Sequence, residues 1–274
     1  MGKTVFITGA SSGIGKVTAE YFLKKGWNVI ATARRVESLE ELDTHENALC
    51  TRCDVTDTET IAAAMQAGIK EFGGIDVVVN NAGYGAVGPF EASTENDVEK
   101  QFNVNVFGLM SVMREVLPHM RNKKNGVIIN ISSMGGRVTF PLYSVYHATK
   151  WAVEGLTESM QFELEGTGVR LKLIEPGAIR TNFYGRSMSI MSKDGVTAYD
   201  DFVERAMKNM NHAGHTGAEP EEVAKVIYKA ATDRKKKLRY PAAGNAIVIL
   251  ALRRILPELL FYKIVRIRVL RKRS

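Results

Sequence analysis

Short runs of apolar and β-branched residues alternate along the chain with longer stretches whose apolar positions recur every three or four residues. The short runs, bounded by Gly, Asn and Pro, predict strands at Thr4–Thr8, Asn28–Ala33, Ala48–Cys53, Asp76–Asn80, Gly126–Ser132, Val169–Glu175 and Lys237–Tyr240. The stretches between them predict helices. Runs such as VVVNN and GVIINIS stay apolar through consecutive positions, as a strand does when both its faces are covered. Buried strands alternating with helices predict an α/β fold, a doubly wound seven-stranded parallel sheet with right-handed crossovers. No repeat or linker breaks the pattern, so residues 1–243 form one expected domain and 244–274 a helical extension.

Composition narrows the picture. With 45% hydrophobic and 24% charged residues over 274 positions, the chain reads as an ordinary globular protein. Its two cysteines cannot staple a domain this size, and a reducing, cytoplasmic setting is expected. The opening MGKTVFITG reads as a strand, so no signal peptide is expected, and no apolar stretch is long enough to span a bilayer. The net charge of +7 is uneven: from Arg234 onward there are thirteen Lys/Arg and one acid, Glu258. A basic tail without interleaved stacking platforms argues against nucleic acid as the partner.

The unusual residues gather where the strands end, the edge at which doubly wound sheets bind ligands. Strand one runs into Gly9-Ala10-Ser11-Ser12-Gly13-Ile14-Gly15, strand two into Arg34-Arg35 and strand three into Asp54-Val55. Strand four ends in Asn80-Asn81-Ala82-Gly83, strand five in Ser132-Ser133 and strand six in Pro176-Gly177. A glycine-rich strand-to-helix turn permits close backbone approach and leaves helix N–H groups for a pyrophosphate, although such a turn also occurs for purely structural reasons. Tyr146 and Lys150 lie one helical turn apart. An ammonium there would favour tyrosinate, but an isolated Y-x-x-x-K is more often an exposed surface pair. Asn105 sits at the centre of an apolar stripe, Val98, Phe102, Leu109, Val112 and Val116, that follows an expected cap at Thr94. Spacing alone leaves it open between a structural tie and a catalytic group.

Taken together and in order, TGASSGIG at 8–15, NNAG at 80–83, Asn105, Ser133, Tyr146-x-x-x-Lys150 and Pro176-Gly177 resemble the short-chain dehydrogenase/reductase family over about residues 3–182. The ATARR run and the tail further resemble the 17β-hydroxysteroid-dehydrogenase-like and acyl-dihydroxyacetone-phosphate-reductase-like subgroup. The resemblance implies a Rossmann-type fold, a homodimer or homotetramer, and hydride transfer between NADP(H) and a carbonyl or secondary alcohol. It makes Tyr146 the acid/base, Lys150 its modulator and a ribose ligand, Ser133 the hydrogen-bond partner of the substrate oxygen, and Asn105 the holder of a relay water. Gly9, Ser11, Ser12, Gly13, Ile14 and Gly15 would line the pyrophosphate and ribose. Asp54 and Val55 would contact the adenine, and Asn81, Ala82 and Gly83 the adenosine side. Pro176, Gly177, Ile179 and Thr181 would frame the nicotinamide. Strand two ends in Ala33 where NAD-preferring sites usually carry an acid, so Arg34, with Arg35, is expected to pair with a 2′-phosphate. A non-catalytic NADP(H)-binding sensor or scaffold of the same fold is the competing reading.

Four features stand outside that set. Cys50 and Cys53 alternate across a strand and so cannot present both thiols to one ligand. His212-x-x-His215 is read as part of a Gly-rich loop, without a metal. The stretch 183–215, with Phe183, Tyr184, Met188, Ile190, Met191, Met207 and Met210, is expected to form a lid over an apolar substrate, with ordinary helix core as the alternative. From Gly244 the tail reads as two short helices, the second opening at Pro257 and mixing aliphatic residues with Lys263, Arg266, Arg268, Arg271, Lys272 and Arg273. Such a segment either contacts a membrane peripherally or packs on the body or on a second subunit.

Overall fold

In the computed structural model, described here for residues 2–181, 183 and 188–270, the expected strands assemble as read, with two additions. The strands are β1 (Thr4–Thr8), β2 (Asn28–Ala33), β3 (Ala48–Arg52), β4 (Val77–Asn80), β5 (Gly85–Val87), β6 (Gly126–Ile131), β7 (Val169–Pro176), β8 (Met188–Ile190) and β9 (Arg239–Ala242). The helices are α1 (Gly13–Lys24), α2 (Glu40–Asp43), α3 (Thr58–Phe72), α4 (Glu95–Phe102), α5 (Leu109–Asn122), α6 (Ser144–Glu163), α7 (Asp200–His215), α8 (Pro220–Thr232), α9 (Ala246–Ile255) and α10 (Glu258–Leu270). Seven strands form one parallel sheet in the order β3-β2-β1-β4-β6-β7-β9.

Two apolar layers sandwich this sheet. On one face Val5, Ile7, Val29 and Ile129 meet Ala19 and Phe22 of α1 and Val223 and Ile227 of α8. On the other, Phe6, Ile30, Val78 and Ile128 meet Ile61 and Met65 of α3, Val112 and Val116 of α5, and Val153 of α6. Every residue of β1, β4 and β6 is buried, which is the burial that their unbroken apolar runs require. Cys50 packs on the first layer and Cys53 lies in the second, so the pair is split across the sheet as alternation demands. Burial pushes the Cys50 thiol up to about 12 and that of Cys53 to about 11.

Two expectations need correction. The seventh strand is Arg239–Ala242, two residues later than the apolar pattern suggests. It is an edge strand, where Pro241 costs no ladder bond, and the carbonyl of Lys237 is instead taken by the buried ammonium of Lys172 at 2.8 Å. His212 and His215 belong to the last turns of α7, not to a loop, and among the described residues no His/Cys/Asp/Glu group suits a metal. In the segment after Thr181, β8 pairs in parallel with β5 in a separate two-stranded sheet. Tyr184 and residues 185–187 of the expected lid, like residues 271–274 of the tail, lie outside the described residues.

Candidate active site

The turn after β1 is held by its neighbour β4. Thr8 Oγ1 accepts the backbone N–H of Asn81 and of Ala82, both at 3.0 Å, while Asn81 Nδ2 donates to the carbonyls of Thr8 and Gly9, each at 3.0 Å. Gly9 and Gly13 adopt left-handed backbone, φ 68° and 55°. At Gly15 a Cβ would fall 2.2 Å from the Gly9 carbonyl oxygen and 2.4 Å from Asn81 Nδ2, so only glycine lets α1 start this close to the strand. Ser12 precedes α1 in extended backbone and its hydroxyl makes no cap. The first N–H groups of α1 are thus left for an anion, which fits a dinucleotide pyrophosphate. Asn81 therefore shapes this turn.

Around this turn stand the other expected cofactor residues. Ala33 is buried at the end of β2, and Arg34 and Arg35 that follow are exposed, with no ion pair among the described residues. Asp54 folds onto its own loop, its Oδ1 accepting from Thr56 N at 3.0 Å and Thr56 Oγ1 at 2.7 Å, and Val55 packs against Gly108. Thr181 faces the glycine turn: a Cβ on Gly13 would lie 3.4 Å from Thr181 Cβ. Ile179 is buried and bridges Ala218. Pro176 closes β7, and Gly177 lets the chain pass the start of α9, since a Cβ there would meet Ala246 N and Asn245 Oδ1 at 2.9 Å.

Hydrogen bonds through Thr149 join Asn105 to the turn of α6 that carries Tyr146 and Lys150. Thr94 and Asp97 form the expected capping box of α4, but the helix does not run unbroken to α5. Residues Asn103–Gly108 make a π-helical turn, which keeps Asn105 buried on the inner side. Asn105 Oδ1 accepts from Tyr84 N at 3.1 Å, and its Nδ2 donates to Tyr84 O at 2.9 Å and Thr149 Oγ1 at 3.2 Å. Thr149 Oγ1 in turn donates to the Tyr146 carbonyl at 2.7 Å. Gln101, which sequence reasoning passed over, completes the clamp by donating to Tyr84 O and accepting from Ala86 N. A buried Gln one turn before Asn105 was the available signal.

Lys150 is buried, with Nζ 2.8 Å from the Ile131 carbonyl and 5.8 Å from the centre of the Tyr146 ring. Burial lowers its pKa to about 8, opposed by the negative charge of Glu154 one turn on. Ser133 begins the turn after β6 and its Oγ accepts from Gly135 N at 3.0 Å. Gly135 separates Ser133 from His147: a Cβ there would lie 3.3 Å from Ser133 Oγ and 2.7 Å from the imidazole. Burial depresses the His147 pKa to about 4, so the ring beside Tyr146 is neutral at physiological pH.

The wall beside Tyr146 is apolar. Its ring lies 5.6 Å from that of Phe183, and Val87, Leu142, Met188, Phe202, Met207 and Met210 complete the cluster. Val269 and Leu270, at the end of α10, join the same cluster. A hollow of about 530 Å³, lined by Phe140, Pro141, Leu142, His147 and Trp151 among others, adjoins the start of α6.

A parallel doubly wound sheet with a glycine-cradled anion site and a buried Tyr–Lys pair defines a nucleotide-dependent oxidoreductase. The chain belongs to the short-chain dehydrogenase family, whose family model matches residues 3–189. It is 37% identical over 220 residues to an oxidoreductase of Schizosaccharomyces pombe, covering 80% of this chain and 92% of that one. It is 34% identical over 239 residues to the 3-ketodihydrosphingosine reductase of Bacteroides thetaiotaomicron, covering 86% of each. A short-chain dehydrogenase structure from Streptomyces avermitilis superposes with a TM-score of 0.82 at 34% identity, covering 97% of this chain and 98% of that one. ElxO with NADP bound (TM-score 0.75, 30% identity, 90% and 100% coverage) and a Burkholderia phymatum short-chain dehydrogenase/reductase with NAD (0.81, 26%, 96% and 95%) are also similar.

Proposed function

We propose that the protein transfers a hydride between NADP(H) and the carbonyl or secondary alcohol of an apolar, lipid-, steroid- or ketone-like substrate. The observation that carries this reading is the buried Lys150 ammonium beside Tyr146, at the edge of an apolar wall. A nicotinamide cofactor, when bound, supplies the hydride. The protein's own part is proton handling and placement. Tyr146 gives a proton to the carbonyl oxygen as it gains charge, or takes one from the alcohol. Bringing its pKa from about 10 towards neutrality requires about 4 kcal/mol of differential stabilisation, part of which Lys150 supplies. Ser133 holds the substrate oxygen. Asn105 fixes the Tyr84 backbone and the first turns of α6, and through them a relay water.

Ala33 ends β2 in place of an acid, and Arg34 and Arg35 after it are exposed with no ion pair among the described residues, which supports NADP(H) over NAD. Similarity to a protein named 3-ketodihydrosphingosine reductase supports an apolar ketone. NADPH and NADH oxidation against a panel of medium- and long-chain ketones tests the reading. NADPH is expected to give the higher kcat/KM, and Arg34→Ala to erode that preference. Cofactor binding without turnover on any ketone or alcohol would favour a sensor instead.

A further inference from the structure

The extension α9–α10 is half anchored and half bare. Leu250 and Phe261 are buried with Val138, and Met134, Phe140, Ile249, Leu256 and Val265 pack around them. The hairpin thus sits on the loop that follows Ser133. At its far end Asn209 Nδ2 of α7 donates to the Val269 carbonyl at 2.9 Å. The anchoring meets only one side. Ile247, Val248, Ile255, Leu259, Ile264 and Ile267 project outward, with Ile255 77% and Leu259 86% exposed against 3% for Phe261. Bare aliphatic residues at this density on one hairpin mark a contact surface.

Charge identifies what it meets. From Arg253 to the end the chain carries eight Lys/Arg and one acid, Glu258, which pairs with Arg253 at 3.5 Å. The chain as a whole carries 37 basic and 30 acidic residues, so the body before the hairpin has 29 of each and is electrically balanced. A second copy therefore offers either a neutral body or an equally basic hairpin. The exposed aliphatics are interleaved on the same two helices with the exposed cations Arg254, Lys263, Arg266 and Arg268. Among the described residues no helix is long and apolar enough to cross a membrane.

We propose that the α9–α10 hairpin docks on the surface of an anionic lipid bilayer, its aliphatic residues entering the headgroup boundary and its cations pairing with lipid phosphates. Because Val269 and Leu270 share the apolar wall of Tyr146, docking places that wall beside the membrane. Delivery of substrate from lipid rests on the proposed function; the docking does not.

The full chain is floated with phosphatidylcholine vesicles and with phosphatidylcholine–phosphatidylglycerol vesicles at low and high salt, and light scattering records its oligomeric state. It is expected to float only with the anionic vesicles and to be released by salt. Ile255→Glu/Leu259→Glu and Arg254→Glu/Arg266→Glu alter exposed side chains and should fold normally, each weakening partition by about tenfold or more. Tyr146→Phe should float like the parent, which separates docking from turnover. No flotation, or flotation indifferent to lipid charge and to both double variants, would overturn the proposal. So would a hairpin variant that changes the oligomeric state while vesicle binding is absent throughout.

Discussion

Tyr146→Phe removes one hydroxyl and keeps the ring that packs on Phe183. Folding and cofactor binding should survive while kcat falls by about 10²–10⁴-fold, as steady-state assays would show. A subtler test lies at Glu154. Its charge raises the pKa that burial lowers at Lys150, so Glu154→Gln should let the ammonium lose its proton at lower pH. The alkaline limb of the kcat/KM profile is then expected to move towards acid, and an unmoved limb would mean that Glu154 is not felt at the site. Tyr146 and Lys150 were legible as a pair because i, i+4 spacing sets them on one face of α6, and Asn105 as the polar centre of an apolar stripe. What Asn105 touches was not legible. Its bonds go to the backbone of Tyr84, twenty-one residues away, and no periodicity encodes a long-range contact of that kind.

The elements themselves were read from burial on both faces, a strong signal in β1, β4 and β6. The signal failed for β5 and β8, three residues each, which exist only because each pairs with the other. It also failed for the π-helical turn, since the stripe through Asn105 has the same spacing whether the helix is regular or locally widened. The glycine turn offers the sharpest element-level prediction. Gly15→Ala puts a methyl group within 2.2 Å of the Gly9 carbonyl oxygen and must displace the turn. NADPH affinity measured by fluorescence titration should fall by at least about tenfold, with the far-ultraviolet spectrum unchanged. At the cap of α4, Thr94→Ala removes the hydroxyl half of the capping box, leaving the residue-94 N–H on the Asp97 carboxylate, and should cost about 1 kcal/mol in chemical denaturation.

At the scale of the molecule, the sheet buries charges that only the assembled fold reveals. Glu175, on β7, is fully buried, with Arg137 at 3.6 Å and Arg239 at 3.8 Å from its Oε1. Burial raises its pKa from 4.5 to about 7, with the neighbouring Glu154 pushing the same way. The folded state thus holds this proton more tightly than the unfolded chain does, so this group's contribution to stability is lost as pH rises from about 4.5 to about 7. Glu175→Gln has no proton to lose. Its Tm relative to the parent should therefore rise between pH 5 and pH 8, as scanning calorimetry at the two pH values would show.

The two cysteines turn the layered architecture into a pair of independent reporters. One thiol packs on the α1–α8 side of the sheet and the other on the α3–α5 side, and neither ionises near neutral pH while folded. Alkylation at Cys50 therefore times the loosening of one layer and alkylation at Cys53 that of the other. Equal rates would mean that the sandwich comes apart as one cooperative unit, whereas unequal rates would name the side that peels away first.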